Sequence, residues 1–174
     1  MHIFSKIDPK EISGNVISLF DDGWALLTAG SKDDFNTMTI SWGQMGCLWN
    51  RPVCTVYVRP SRYTYEYTEA NGCFTVSLFD KADCRSQLKV LGSRSGRDMD
   101  KMHSNGLTPF ELDGCMAFQE ARTVLVLKKL YRQQLDANLV PENILGVNYA
   151  GANPDQLHFQ YICEITAAYT KKDD

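Results

Sequence analysis

The sequence predicts a mostly-β protein, an antiparallel barrel or sandwich with its helices packed outside. Three observations lead there. Apolar and β-branched residues alternate with period two in several short stretches, these stretches outnumber the helical ones, and short turns join neighbours. The chain has 174 residues, inside the range of one domain, and we read 1–174 as a single unit. A domain of this size buries roughly 70% of the surface its unfolded chain exposes, so it needs no metal or disulfide staple.

The elements follow in order. The apolar run Asn15 to Phe20 leads through Asp21-Asp22-Gly23 into Trp24 to Ala29, and Asp-Gly between two apolar runs predicts a hairpin. Asn36 to Trp42 alternates cleanly and predicts a strand, as does Val53 to Val58. Pro60-Ser61 breaks that strand and places Ser61 as the N-cap of a helix from Arg62 to Ala70. Asn71-Gly72 stops the helix, and Cys73 to Phe79 is again extended. A helix is expected from Asp80 to about Leu91, then the polar loop Gly92 to Arg97, then a short helix from Asp98 to His103. Ala121 to Leu135 reads as one long strand, and Leu157 to Tyr169 as the last.

Composition excludes several classes. Hydrophobic residues make up 44% and charged residues 22%, an ordinary globular balance. A net charge of -3 with scattered basic residues gives no footprint for nucleic acid or an anionic membrane. No stretch approaches a membrane span, and the N-terminus is too polar for a signal peptide, so the expected location is cytoplasmic. The six cysteines contain no C-x-x-C, and the three histidines are far apart, so neither a zinc site nor a secreted disulfide framework is expected. Most of the cysteines read as small reduced core residues, Cys47 among them, although a redox thiol is the alternative there.

Three segments carry chemistry. In Asn36 to Trp42, Thr37, Thr39 and Ser41 share one face at a repeat of roughly 7 Å, opposite Met38, Ile40 and Trp42. Such a hydroxyl row suits a polyol or phosphate tail, and it equally suits an exposed strand face on which Thr is favoured. In Arg59-Pro60-Ser61-Arg62-Tyr63-Thr64, guanidinium groups at a strand end meet the start of a helix, a combination that binds anions. The plainer alternative is a solvated Arg62 with Tyr63 packed on Tyr67 at i,i+4. In the segment from Gly92 to Lys101, Ser95, Gly96, Arg97 and Lys101 offer hydroxyl, glycine and cations that could cradle a phosphate, or could form a solvated loop of paired charges. No Ser/His/Asp, Cys/His or paired-carboxylate arrangement emerges from local spacing, and no catalytic side chain is assigned.

The order of these segments resembles the flavin reductase-like, FMN-binding split-barrel family. The resemblance is carried by Asp22 to Thr28, Asn36-Thr37-Met38-Thr39, Ser41-Trp42-Gly43, Trp49-Asn50-Arg51-Pro52, Val58 to Thr64, Phe74 to Ser77, Gly92 to Asp98 with Asp100-Lys101, Glu120-Ala121-Arg122 and Lys129-Leu130-Tyr131. It covers about residues 14 to 135 well and the last strand loosely. It implies a six-stranded antiparallel split β-barrel of Greek-key type with peripheral helices, in a homodimer with one FMN per subunit. By motif, Asn36, Thr37, Met38, Thr39, Ser41 and Trp42 would run beside the ribityl chain and ring. Arg59, Arg62, Tyr63 and Thr64 would meet the phosphate or the polar ring edge, and Ser95, Gly96, Arg97 and Lys101 would close over the phosphate. The segment Asn148 to Pro154 departs from the family pattern and could alter the rim of the pocket.

The resemblance implies an oxidoreductase in which a bound flavin performs the hydride or electron chemistry, with NADH or NADPH as donor. A flavoredoxin-like electron carrier serving a redox protein partner is the second reading. A non-redox barrel that binds another ligand is the third.

Overall fold

The computed structural model describes residues 3–80, 84–100 and 105–172. Ten strands and four α-helices follow one another along them: β1 (Phe4–Ile7), α1 (Val16–Asp21), β2 (Ala25–Gly30), β3 (Phe35–Ile40), β4 (Gly43–Leu48), β5 (Arg51–Val58) and α2 (Tyr63–Ala70). Then come β6 (Cys73–Leu78), α3 (Arg85–Ser93), β7 (Pro109–Leu112), β8 (Cys115–Phe118), β9 (Thr123–Gln134), α4 (Glu142–Asn148) and β10 (Phe159–Lys171).

Eight strands form one antiparallel sheet in the order β3-β2-β6-β9-β10-β5-β4, with β1 pairing β10 beside that path. β7 and β8 form a separate hairpin. The resemblance implied six strands in a closed barrel; the ladder here holds eight and does not close, since no pairing joins β3 to β4. Those two edges are nonetheless tethered, because only Ser41 and Trp42 separate Ile40 from Gly43. Three virtual bonds span at most about 11 Å, so the sheet must roll until its edges meet at this corner. The rolled interior is filled by Leu27, Met38, Ile40, Val56, Val76, Leu125 and Tyr161, drawn from strands all along the path. Register shifts in the β9–β10 pairing mark bulges where these long strands bend.

Several elements differ from the sequence reading, each for a local reason. Residues 16–21 form a helix rather than a strand, because the Asn15 side chain accepts hydrogen bonds from the backbone N–H groups of Ile17 and Ser18 and caps it. Asp22-Gly23 therefore ends a helix instead of turning a hairpin: both N–H groups donate to the Ser18 carbonyl, and Trp24 takes the left-handed conformation. Phe20 of α1 joins the interior core, and Gly43 lies against its ring so closely that an added Cβ would overlap it. The residue capping α2 is Arg62, not Ser61, and it makes no side-chain cap bond.

The Asp-Gly signal does hold at Asp113-Gly114, both left-handed, where it joins β7 to β8. That hairpin lies over β6, where Thr75 donates to the Met116 carbonyl. The same packing brings Cys73 and Cys115 into a disulfide, while the other four cysteines are free, as expected of most of them. Cys54 and Cys163 are buried free thiols, whereas Cys47 is exposed on β4 rather than buried. The predicted helix at Asp98 to His103 is a turn in its described part, closed by Asp98 N–H donating to the Ser95 carbonyl; residues 101–104 lie outside the described residues.

Candidate functional site

The sequence-predicted residues separate into two neighbouring groups. The first lies where the loop after α3 meets β3 and the start of α2. Asn36 is buried and donates through Nδ2 to the Thr64 hydroxyl, at 2.8 Å. Gly96 packs directly on them: a Cβ there would stand 2.4 Å from Asn36 Oδ1 and 3.1 Å from the Tyr63 ring. Arg97 lies over the Tyr63 ring, 4.6 Å from its centroid, and pairs with Glu66. The Ser95 hydroxyl accepts from the Arg97 backbone N–H. The structure thus unites Asn36, Tyr63, Thr64, Ser95, Gly96 and Arg97, but the Arg97 charge already has a carboxylate partner. Lys101 lies outside the described residues.

The second group surrounds a cleft of about 300 Å³ at the end of β3, lined by Met38, Thr39, Ile40, Ser41, Trp42, Tyr57, Arg59, Arg62 and His158. Here β3, the end of β5 and the entry to β10 converge, because β5 and β10 pair antiparallel and bring Val58 opposite Phe159. Arg59 donates to the Asn148 carbonyl at 2.6 Å and stacks over Tyr149, while Arg62 donates to the Gly92 carbonyl at 3.3 Å. Among the described residues neither guanidinium has a carboxylate partner. The Trp42 and His158 rings lie against one another, tilted at 45° with centroids 4.8 Å apart. His158 Nδ1 and the Tyr149 hydroxyl share a hydrogen bond of 2.8 Å.

The hydroxyl row needs correction. Thr37 is fully buried, bonded to the Thr28 hydroxyl at 2.9 Å and donating to the Leu27 carbonyl at 3.0 Å, so its side chain offers nothing to a ligand. Thr39 donates to the Leu88 carbonyl of α3 at 2.5 Å, leaving its oxygen as an acceptor at the cleft wall. Ser41 alone of the three, half-buried at the corner, has no side-chain hydrogen bond recorded among the described residues. The row fails because α3 covers this face of the strand, which alternation within β3 cannot reveal. Met38 belongs to the interior core and closes the bottom of the cleft.

The electrostatics of the cleft suit an anion. Burial and the guanidinium groups of Arg59 and Arg62 push His158 down to about 4, so the imidazole is neutral at pH 7. Burial raises the phenols of Tyr57 and Tyr149 above their ordinary value, so both remain protonated. Two cations with no carboxylate counterion thus face uncharged donors and acceptors and one indole. The residues present fit FMN on these grounds: its phosphate matches Arg59 and Arg62, its hydroxylated chain matches Thr39 and Ser41, and its ring matches Trp42. Of the departing segment Asn148 to Pro154, Asn148 and Tyr149 stand beside the cleft, where they hold Arg59.

Sequence reading missed His158, Tyr57 and Tyr149. Their only local signal was an aromatic or imidazole at a strand or helix end; the pairing of β5 with β10 brings Tyr57 and His158 together, and Tyr149 joins them through its hydrogen bond with His158. Tyr131 lies well along β9, with its hydroxyl donating to Gln133.

The family model described as the flavin reductase like domain matches residues 17–174. No curated protein sequence matches significantly. Among solved structures, an FMN-binding domain of a flavin reductases-like enzyme from Shewanella baltica OS155 is 19% identical with a TM-score of 0.67, covering 97% of this chain and 77% of that one. Flavoredoxin from Methanosarcina acetivorans is 22% identical with a TM-score of 0.66, over 93% of this chain and 75% of that one. The styrene monooxygenase flavin reductase from Pseudomonas putida S12 is 18% identical with a TM-score of 0.65, over 91% and 84%. At these identities the structural likeness concerns the fold.

Proposed function

Because this chain belongs to the flavin reductase-like family, its model matching residues 17–174, we propose that it is an FMN-dependent oxidoreductase whose cofactor lies in the cleft beside Trp42. The observation that carries this reading is the pair Arg59 and Arg62, without carboxylate partners among the described residues, facing a neutral His158. Bound FMN supplies hydride and electron transfer. Arg59 and Arg62 hold its phosphate, and the Asn148 carbonyl and Tyr149 ring fix Arg59 in place for that contact. Ser41 and Thr39 orient the polar chain, and the Trp42 face, held by His158, limits access to the ring. The neutral state of His158 preserves the positive potential of the two guanidiniums without adding a charge that would change with small shifts of pH.

Membership of the family supports a nicotinamide nucleotide, NADH or NADPH, as donor. A homodimer is the assembly we favour, supported by the exposure of Leu139 and Val147, each 82% accessible, near the rim. An electron-carrier role for a redox protein partner is the second reading. It is supported by Trp42, which remains 41% accessible at the cleft mouth, where a protein surface could approach.

The test is an absorbance spectrum of the purified protein, followed by titration with FMN. Flavin bands, or tight uptake of FMN by colourless protein, are the expected result; a protein that stays colourless throughout would end both redox readings. Oxidation of NADH or NADPH with turnover then separates the reductase from the carrier.

A further inference from the structure

Three sulfur side chains stand in line across neighbouring strands. Met45 of β4 is opposite Cys54 of β5, and Cys54 is opposite Cys163 of β10, in both ladders without a register shift. Opposed residues of an antiparallel pair project to one face, with Cβ atoms roughly 4.5–5.5 Å apart. That face is the rolled interior: Cys54 and Cys163 are fully buried in its core, and half-buried Met45 packs against it. Both cysteines are free thiols, and Cys163 stands close enough to act on Cys54 electrostatically. Burial raises both thiols above their ordinary value, Cys163 to about 12, so neither is a nucleophile at neutral pH.

The donors decide what the row can hold. Zinc–sulfur bonds measure roughly 2.3 Å, and two bonds of that length span about 4.6 Å, the spacing of opposed side chains. An ion between Cys54 and Cys163 therefore fits the ladder as it stands. Structural zinc takes four ligands of histidine, cysteine or carboxylate type, and among the described residues no three such side chains gather. Two thiolates and a thioether are soft donors, which select Cu(I). Charge agrees, because Cu(I) with two thiolates carries one net negative charge. Lys129, opposite Cys163 on β9, is the cation that favours it.

A cavity of about 790 Å³ leads to the row from outside. Met45 and Ile165 line it, and both also belong to or pack on the core that holds the thiols. Exposed Cys47 lies in the same lining, two residues along β4 from Met45. The flexible, polarizable Met45 side chain thus separates solvent from the buried pair.

We propose that Met45, Cys54 and Cys163 form a binding site for a soft monovalent cation, Cu(I), entered from this cavity past Cys47. Binding exchanges two protons for one ion. Each thiol releases its proton to solvent and bonds the metal as thiolate, the thioether donates a lone pair, and no electron is transferred. The site is separate from the flavin cleft and does not depend on the function proposed above.

The test supplies Cu(I) anaerobically as its bicinchoninate complex, with ascorbate as reductant, to the whole purified chain. Competition with the chelator reads affinity. One ion per chain is expected, with sulfur as the only neighbour of copper in X-ray absorption. Cys54→Ala and Cys163→Ala should each weaken Cu(I) by at least about tenfold, and Met45→Leu by a smaller factor. Cys47→Ala should leave affinity within about twofold, and FMN uptake should be the same in all four variants, since none of these residues lines the cleft. Failure of the wild-type chain to take Cu(I) from the chelator would overturn the proposal. So would nitrogen or oxygen neighbours at the copper, or unchanged affinity in both alanine variants. Loss of binding in Cys47→Ala alone would overturn it too, and assign the ion to the exposed thiol. Should an alanine variant fail to fold, Met45→Leu, which conserves volume, carries the test, and unchanged affinity there overturns the site.

Discussion

At its first residues β3 is sealed. Asn36 and Thr37 are buried, bonded to Thr64, Thr28 and the Leu27 backbone, and Gly96 closes over Asn36. At its far end the same strand leads out into a corner, where Ser41 is half-buried, Trp42 is exposed, and two arginines stand without carboxylate partners among the described residues. One alternating motif therefore does two jobs. What separates them is the cover: α3 and its loop lie over the strand, and Thr39 marks the boundary, donating to α3 while still facing the cleft. Hydrogen-bonding capacity in a strand is a functional resource only where neighbouring elements leave it unused.

Three measurements would break or sharpen this contrast. The largest effect belongs to the open end. Arg59→Ala should weaken FMN by about 2 kcal/mol, the range for a hydrogen bond to a charged group, with little change in melting temperature. Unchanged affinity in an equilibrium titration would remove Arg59 from the site. Thr37→Val acts at the sealed end, where it strands the buried Thr28 hydroxyl and should lower unfolding free energy by about 1.5 kcal/mol with FMN affinity untouched. An effect on FMN affinity instead of stability would restore the hydroxyl-row reading.

The smallest effect is a pH slope from His158. Its folded value of about 4 lies below the ordinary 6.5, so between these limits the unfolded chain binds more protons. Its contribution to stability is therefore complete above pH 6.5 and declines as pH falls toward 4. His158→Gln should flatten that part of the melting-temperature profile, and a wild-type profile already flat between pH 4 and 6.5 would show that burial and the two arginines do not hold this imidazole neutral.

Legibility in the sequence followed the range of the forces involved. β3, β5, β6, β9 and β10 were readable because alternation is local. β4 was not: Gly43, Gln44 and Gly46 have low strand propensity, and its hairpin turns on Trp49 and Asn50, both left-handed without a glycine. α1 was misread because an apolar hexapeptide fits either element, and the Asn15 cap decides. For the site, the arginines and Trp42 could be named from contiguous motifs. His158, Tyr57 and Tyr149 could not, because strand pairing across 100 residues brings His158 to Tyr57.

The tether at Ser41 and Trp42 has a mechanical consequence. A barrel closed by a continuous ladder can widen only by breaking backbone hydrogen bonds, each of which resists. Here the seam between β3 and β4 carries no strand pairing, and the cleft lies beside it. Rotation about the few backbone torsions of that dipeptide changes the aperture while every strand pair stays intact. The scaffold can therefore be stiff in its walls and compliant along one line, at the corner that Ser41 and Trp42 give to the cleft.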